Sequence, residues 1–308
     1  MLKNKVFYKN DVSDKILMVL PRASDKVLNN LKGLPLCELV TFETTPFLCY
    51  IIHMVITSRD NPKIKALAAL HRRENARREG VVFIEGERLC RDAIESGAAI
   101  REVVVTEENQ DWASDYARGA DVTVVSEKCF EKIASTVHPQ GIACVAGQPG
   151  LKGTIPFRGD GRDIYCYLED IQDPGNLGTI IRTADAFDFT AVIMSPNTCD
   201  PFNEKTLRAS MGSVWHLPLV TATPDEAFAF FSRKSVTSLA MHLKGEELSA
   251  ADISLPAAYL IGNEGRGLSD GTSSLCNKLV RIPMPGRAES LNAAAAASIM
   301  GYVLQTLR

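Results

Sequence analysis

The stretch QDPGNLGTIIRTADAF, residues 172–187, follows directly on IYCYLED, an apolar run that reads as a buried strand. Pro174 and Gly175 predict a tight turn, and Asn176 is a candidate cap for an amphipathic helix over 179–187 that carries Arg182. A glycine-rich turn entering a helix suggests an anion cradle. Neither the G-x-x-x-x-G-K-[ST] loop nor the G-x-G-x-x-G loop occurs here, so the common nucleotide cradles do not fit. The same glycines are equally compatible with a turn and a cap alone. What the stretch does fix is a strand–turn–helix unit, the building block of an open α/β sheet, whose ligands collect beyond strand C-termini.

Downstream the alternation continues: AVIMS reads as a strand, 203–210 as a helix, and SVTSLAMH and AAYLIG as strands. That pattern predicts a mostly parallel sheet covered on both faces. Two further segments put glycines and polar residues just after a strand. In YLIGNEGRGLS, residues 259–269, Gly262, Gly265 and Gly267 permit close backbone approach to a ligand. Glu264 sits among them, where a buried carboxylate would require a partner such as arginine. In VRIPMPGRAESLNAAAAASIMG the chain runs through Pro285 and Gly286 to Ser290, Leu291 and Asn292. An alanine-rich helix follows, whose small side chains would let it pass close to other backbone.

Upstream, VVFIEG, REVVVTE, VTVVS and GIACVAGQ read as strands, separated by helical ERLCRDAIESG, DWASDYARGA and EKCFEKIAS. A basic segment precedes them, with Arg59, Lys63, Lys65, Arg72, Arg73, Arg77 and Arg78. Ser58 is a candidate cap, and Ile64, Leu67 and Leu70 recur at helical spacing, so the segment reads as a basic amphipathic helix. Such a face either meets RNA or is simply solvated. The Gly- and Pro-rich run GQPGLKGTIPFRGDGRD reads as a linker. The expected organisation is residues 54–148, 149–162 as the linker, and 163–308.

The 308 residues suffice for two domains, and a net charge of -3 leaves room for a local basic patch. The eight cysteines are scattered without a CxxC pair, and the histidines form no HExxH, so neither a metal site nor a disulfide framework is expected. Reduced, packing thiols point to a cytoplasmic protein. The apolar run PFLCYIIHMVI, 46–56, is too short for a membrane helix, which needs about 20 residues.

DPGNLGTIIRTADAF, IGNEGRGLS and IPMPGRAESLNAAAAAS, in this order, resemble the three motifs of the SpoU/TrmH group of SPOUT RNA methyltransferases. SRDNPKIKALAALHRR…FIEGERLCRDAIESG is similar to that family's N-terminal substrate-binding domain, so the resemblance runs from about residue 54 to the end. It implies an α/β protein: a C-terminal SPOUT α/β knot, trefoil-threaded with a mostly parallel sheet, after a smaller α/β RNA-binding domain. It implies transfer of a methyl group from S-adenosyl-L-methionine to a ribose 2′-hydroxyl of structured RNA, ribosomal RNA before transfer RNA, by a homodimer. The other readings are a transfer-RNA enzyme and a non-catalytic RNA-binding protein on the same scaffold.

Carried over by motif position, the catalytic residues would be Asn176, Arg182, Glu264, Ser290 and Asn292. Cofactor contacts would fall at Leu260, Gly262, Ile282, Met284 and Leu291, and RNA contacts on the basic segment. A guanidinium stays protonated, so Arg182 is expected to clamp a phosphate and steady developing alkoxide charge. Two positions depart from the family pattern: Asp188, where glycine is common, and Ala293, where a bulkier aliphatic is frequent. Family members commonly begin near ITSRDNPKIK, so residues 1–53 read as an extension or a mis-assigned start, with Met54 just ahead of that text.

Overall fold

The computed structural model describes residues 54–151, 153–248 and 252–308, with the backbone of two short strands, β1 (Lys5–Lys9) and β2 (Lys15–Val19). Those strands apart, the reading of 1–53 as an extension or mis-assigned start lies outside the described residues. Two compact units form, one including residues 100–145 and the other 146–308. Among the described residues no helix is long and apolar enough to cross a membrane.

The first sheet gathers β1 and β2 with β3 (Met54–Ile56), β4 (Val81–Glu85), β5 (Ile100–Thr106), β6 (Asp121–Val125) and β7 (Ile142–Gly147), in the order β1-β2-β3-β6-β5-β7-β4. The basic segment is two helices and not one: α1 (Pro62–Ala69) and α2 (Arg73–Glu79). Nor does Ser58 cap it. Asn61 does, its side chain accepting from the Lys63 N–H at 2.8 Å, with Pro62 in the first helical position. Asn75 Nδ2 then donates to the Ala69 carbonyl at 3.0 Å, occupying an acceptor that continued helix would need. Helices α3 (Glu87–Glu95), α4 (Gln110–Tyr116) and α5 (Glu127–Ile133) match the apolar periodicity of their segments.

The second sheet contains β8 (Ile164–Leu168), β9 (Ala191–Met194), β10 (Leu219–Thr221), β11 (Thr237–Glu247), β12 (Ala257–Ile261) and β13 (Lys278–Arg281). Its order is β10-β9-β8-β12-β11-β13, and every neighbouring pair is parallel. β8, β9 and β12 are buried along their whole length, as a sheet covered on both faces requires. Tyr165, Tyr167, Leu260, Phe230 and Phe231 share one core cluster. The two phenylalanines lie on α8 (Pro224–Lys234), a helix with a full capping box between Thr223 and Glu226.

From β8 the chain builds outward through β9 and β10, then crosses to β11 and β12 on the other side. The gap between β8 and β12 is therefore the topological switch point, where the loops at the strand C-termini diverge and leave a crevice. Helix α6 (Pro174–Ala186) leaves β8, α7 (Glu204–Ser210) follows β9, α9 (Asp270–Leu275) precedes β13, and α10 (Ala293–Gln305) packs on α6 and β12.

Asp188 adopts the left-handed conformation at φ 52° where glycine would be the easy residue. Both Arg158 guanidinium arms reach its carboxylate at 2.8 Å, and Arg308 Nη1 reaches it at 2.9 Å. The Arg158 hydrogen bond is the main cause holding this carboxyl below its ordinary range. Cys90, Cys129, Cys144 and Cys166 are buried free thiols, and burial pushes Cys166 up to about 12.

Candidate active site

Helix α6 begins earlier than its sequence suggests, and the change decides the site. Asp173 is the cap: its Oδ1 accepts from the Asn176 N–H at 3.0 Å and from the Gly175 N–H at 2.5 Å. Pro174 fills the first helical position. Asn176 is thus not the cap but a first-turn residue with its side chain free to reach across the crevice.

Glu264, on the loop after β12, receives it. One carboxylate oxygen accepts from Asn176 Nδ2 at 3.1 Å and the Asp173 N–H at 3.0 Å, the other from the Gln172 N–H at 3.1 Å. Its expected arginine partner is replaced by these three neutral donors. Partial desolvation works against the charge, but the bonds from Asn176, Gln172 and Asp173 prevail and hold the carboxyl below its ordinary range.

The remaining amide orientations follow from that carboxylate. Because Asn176 turns its nitrogen to Glu264, its Oδ1 faces away and accepts from Asn292 Nδ2 at 2.9 Å. Asn292 in turn points its Oδ1 at the N–H groups of Ala294 and Ala295, at 2.9 and 3.3 Å, and caps α10. Glu264, Asn176 and Asn292, each from a different motif, form one polar chain across the switch point.

The glycines divide into different tasks. A Cβ on Gly178 would stand 2.6 Å from both Ala209 Cβ and the Thr206 carbonyl, so this glycine lets α6 cross α7 closely. A Cβ on Gly262 would stand 2.0 Å from the Gly267 carbonyl carbon and the Leu268 nitrogen. The expected ligand approach at Gly262 is thus an approach of the chain to itself, where Asn263 and Gly267 form a bridge. Asn263 locks the loop, donating to the Asp170 carbonyl at 2.9 Å and accepting from the Gly265 and Arg266 N–H groups. Sequence reasoning passed over Asn263, whose signal was an Asx residue opening a glycine turn.

Beside this loop lies a cavity of about 350 Å³, within the roughly 300–1,000 Å³ usual for small-molecule sites. Gly262, Ile282, Met284, Ser290 and Leu291 line it together with Glu264. Leu260 does not; its side chain is fully buried in the core. Apolar walls suit a nucleoside face, and the one motif carboxylate on the cavity is already hydrogen-bonded. These residues fit S-adenosyl-L-methionine. Among the described residues no group of three or more His, Cys, Asp and Glu could hold a metal ion.

Arg182 is not brought to the polar chain. Six residues beyond Asn176, it falls roughly 240° around the helix. It is exposed, its Nη1 2.8 Å from Met211 Sδ at the end of α7. In the other unit, Arg59 pairs with Glu131 at 2.7 Å, Lys63 with Glu102 at 2.9 Å and Lys65 with Asp60 at 3.0 Å. Arg72, Arg77 and Arg78 are exposed, and Arg73 opens α2. The Arg59–Glu131 and Lys65–Asp60 pairs are exposed and therefore weak, about 0–1 kcal/mol, so phosphates could displace them.

Residues 163–302 match the model of the SpoU rRNA Methylase family, and residues 61–144 that of the MRM3-like substrate binding domain. The 23S rRNA (guanosine(2553)-2'-O)-methyltransferase RlmP of Bacillus subtilis (strain 168) is 34% identical over 254 residues, covering 81% of this chain and 98% of the relative. The 23S rRNA (uridine(2479)-2'-O)-methyltransferase of Streptomyces viridochromogenes is 29% identical, with 80% and 90% covered. The crystal structure of an AdoMet-bound rRNA methyltransferase from Sinorhizobium meliloti superposes with a TM-score of 0.73 at 33% identity, covering 82% of this chain and 97% of that one.

Proposed function

The chain belongs to the SpoU rRNA methylase family, and from that premise we propose that it methylates a ribose 2′-hydroxyl of structured RNA, in the first place ribosomal RNA. The observation that carries this reading is the Glu264–Asn176–Asn292 chain, which joins three loops at the switch point beside an apolar cavity of nucleoside size. S-Adenosyl-L-methionine, when bound there, supplies an electrophilic methyl group on a sulfonium sulfur.

The chain's own residues do the rest by holding and orienting. Ile282, Met284 and Leu291 supply an apolar bed, with the backbone of the 262–267 loop along one side. The polar chain fixes α10 relative to α6, so that Ser290 and Leu291, just before the Asn292 cap, keep one position. Arg182, exposed and away from the polar chain, clamps an RNA phosphate and so positions the ribose; its guanidinium cannot take the 2′-hydroxyl proton at neutral pH, and that proton passes to water. Positioning supplies much of the rate.

The same reading assigns 54–148 to RNA binding, 149–162 to a linker and 163–308 to catalysis, with the C-terminal segment threaded as a trefoil knot. It also makes the protein a cytoplasmic homodimer. Exposed Ile299 and Tyr302 on α10 support a second copy as the partner of that face. Sedimentation at micromolar concentration tests this, and a monomer would refute it.

The decisive experiment maps ribose methylations in total RNA from a strain lacking the gene, then repeats the reaction with purified protein. One 2′-O-methyl site in ribosomal RNA should vanish in the strain and reappear in vitro. An unchanged map, with no methyl incorporation into any RNA, overturns the reading.

A further inference from the structure

One wall of the cavity comes from β11, outside all three motifs. Met241 and Glu246 both pair with Val280, so residues 242–245 leave the ladder as a four-residue bulge. Gly245 makes the bulge possible: a Cβ there would stand 2.5 Å from the Val280 nitrogen and 2.6 Å from the Leu279 carbonyl carbon. The excursion places Met241, His242 and Leu243 on the cavity.

His242 Nδ1 accepts from the Lys244 N–H at 3.1 Å. In the neutral ring the proton therefore sits on Nε2, which is a donor. Most other polar side chains on the cavity are already engaged. Asn263 and Glu264 serve the loop, Arg266 lies 3.9 Å from Asp170, and Arg281 is 2.7 Å from Glu247. Among the described residues, His242 and Ser290 also line the cavity, and neither His242 Nε2 nor Ser290 Oγ has a hydrogen-bond partner in the protein.

We propose that His242 Nε2–H donates to a nucleoside acceptor of the bound cofactor, a purine ring nitrogen or a ribose oxygen, and so selects it. This rests on the reading of the cavity as the S-adenosyl-L-methionine site. His242→Asn keeps an oxygen near the place of Nδ1 for the Lys244 N–H but lacks the outer donor. His242→Gln restores a donor at about the reach of Nε2.

Isothermal titration of the full-length protein with S-adenosyl-L-methionine and with S-adenosylhomocysteine measures both, folding being checked by circular dichroism. The expected result is about tenfold weaker binding of both ligands to His242→Asn, as for one lost hydrogen bond, and recovery to within about threefold in His242→Gln. Leu291→Glu separates the two ideas, since a charge in the cavity should abolish binding. If the unaltered protein binds neither ligand, or Leu291→Glu binds as well as it does, the cavity reading falls. If those two behave as expected but folded His242→Asn binds within twofold of the unaltered protein, the role of His242 is overturned alone.

Discussion

Asn292 Nδ2 donates to Asn176 Oδ1 at 2.9 Å, joining residues 116 positions apart in the chain. The contact continues down two parallel helices: Thr183 and Ser298 hydroxyls meet at 3.0 Å, the Phe187 and Tyr302 rings touch edge to face, and Asp188 takes Arg308. Gly301 allows the approach, since a Cβ there would meet Phe187 at 3.1 Å and Phe189 at 3.3 Å. Asn292→Ala removes the cap of α10 and its tie to α6 together. Loss of the cap alone costs about 0.5–2 kcal/mol, read from urea unfolding. Methyl transfer should fall further than stability does, and an enzyme as active as the parent would separate the tie from the chemistry.

Gly178→Ala tests the crossing of α6 and α7. The new methyl group meets Ala209 Cβ and backbone at 2.6 Å, so the helices must move apart. The expected cost is about 1–3 kcal/mol, as for overpacking elsewhere, although alanine is the better helix former. A stabilised variant in thermal unfolding would show that the crossing yields easily.

Arg182→Lys keeps the charge and loses the planar fork. Arg182 meets the thioether of Met211, a weak acceptor, so little in the fold depends on it. Folding and cofactor affinity should be unchanged, while single-turnover methylation at saturating cofactor drops by about 100-fold, as when a substrate-positioning contact is lost. A near-normal rate would count against the clamp.

Much of this architecture was legible in the sequence. The apolar runs of β8, β9 and β12 and the glycines beyond them announced a parallel sheet with loops gathered at one end. Helix α8 was readable too, from Thr223, Pro224 and Glu226, a capping signature that periodicity alone passed over. Other features were not. Asn176 and Asp173 are both good caps by composition, and only the three donors required by Glu264 decide between them. Gly262 looks identical whether the close neighbour is a ligand or Gly267, because a glycine records an approach and not its partner. The arginine contacts of Asp188 link residues far apart in the chain, which no local pattern reveals.

Asp188→Gly examines that clasp without straining the backbone, since glycine suits φ 52°. Asp188 and Arg158 are exposed while Arg308 is half-buried and keeps its bond to the Phe187 carbonyl, so the stability lost should be about 1 kcal/mol. Release of Arg308 should instead show as faster carboxypeptidase trimming of the chain end. Trimming at the parent's rate would mean that α10 packing alone secures the tail.

Glu264→Gln probes the polar chain through its pH dependence. Hydrogen bonds from Asn176, Gln172 and Asp173 hold the native carboxyl below the value it has unfolded, about 4.3. The unfolded state then binds the proton more readily, so this contribution to stability is fully present above the unfolded pKa. It is lost as pH falls through the depressed native value. The stability difference between parent and Glu264→Gln should be constant from pH 7 down to about 5.5 and shrink steadily below about 4. Other carboxylates titrate alike in both proteins and cancel in the difference. Urea midpoints taken across that range measure it, and a gap of unchanged size at pH 3 would mean that the native carboxyl is not held down by these donors.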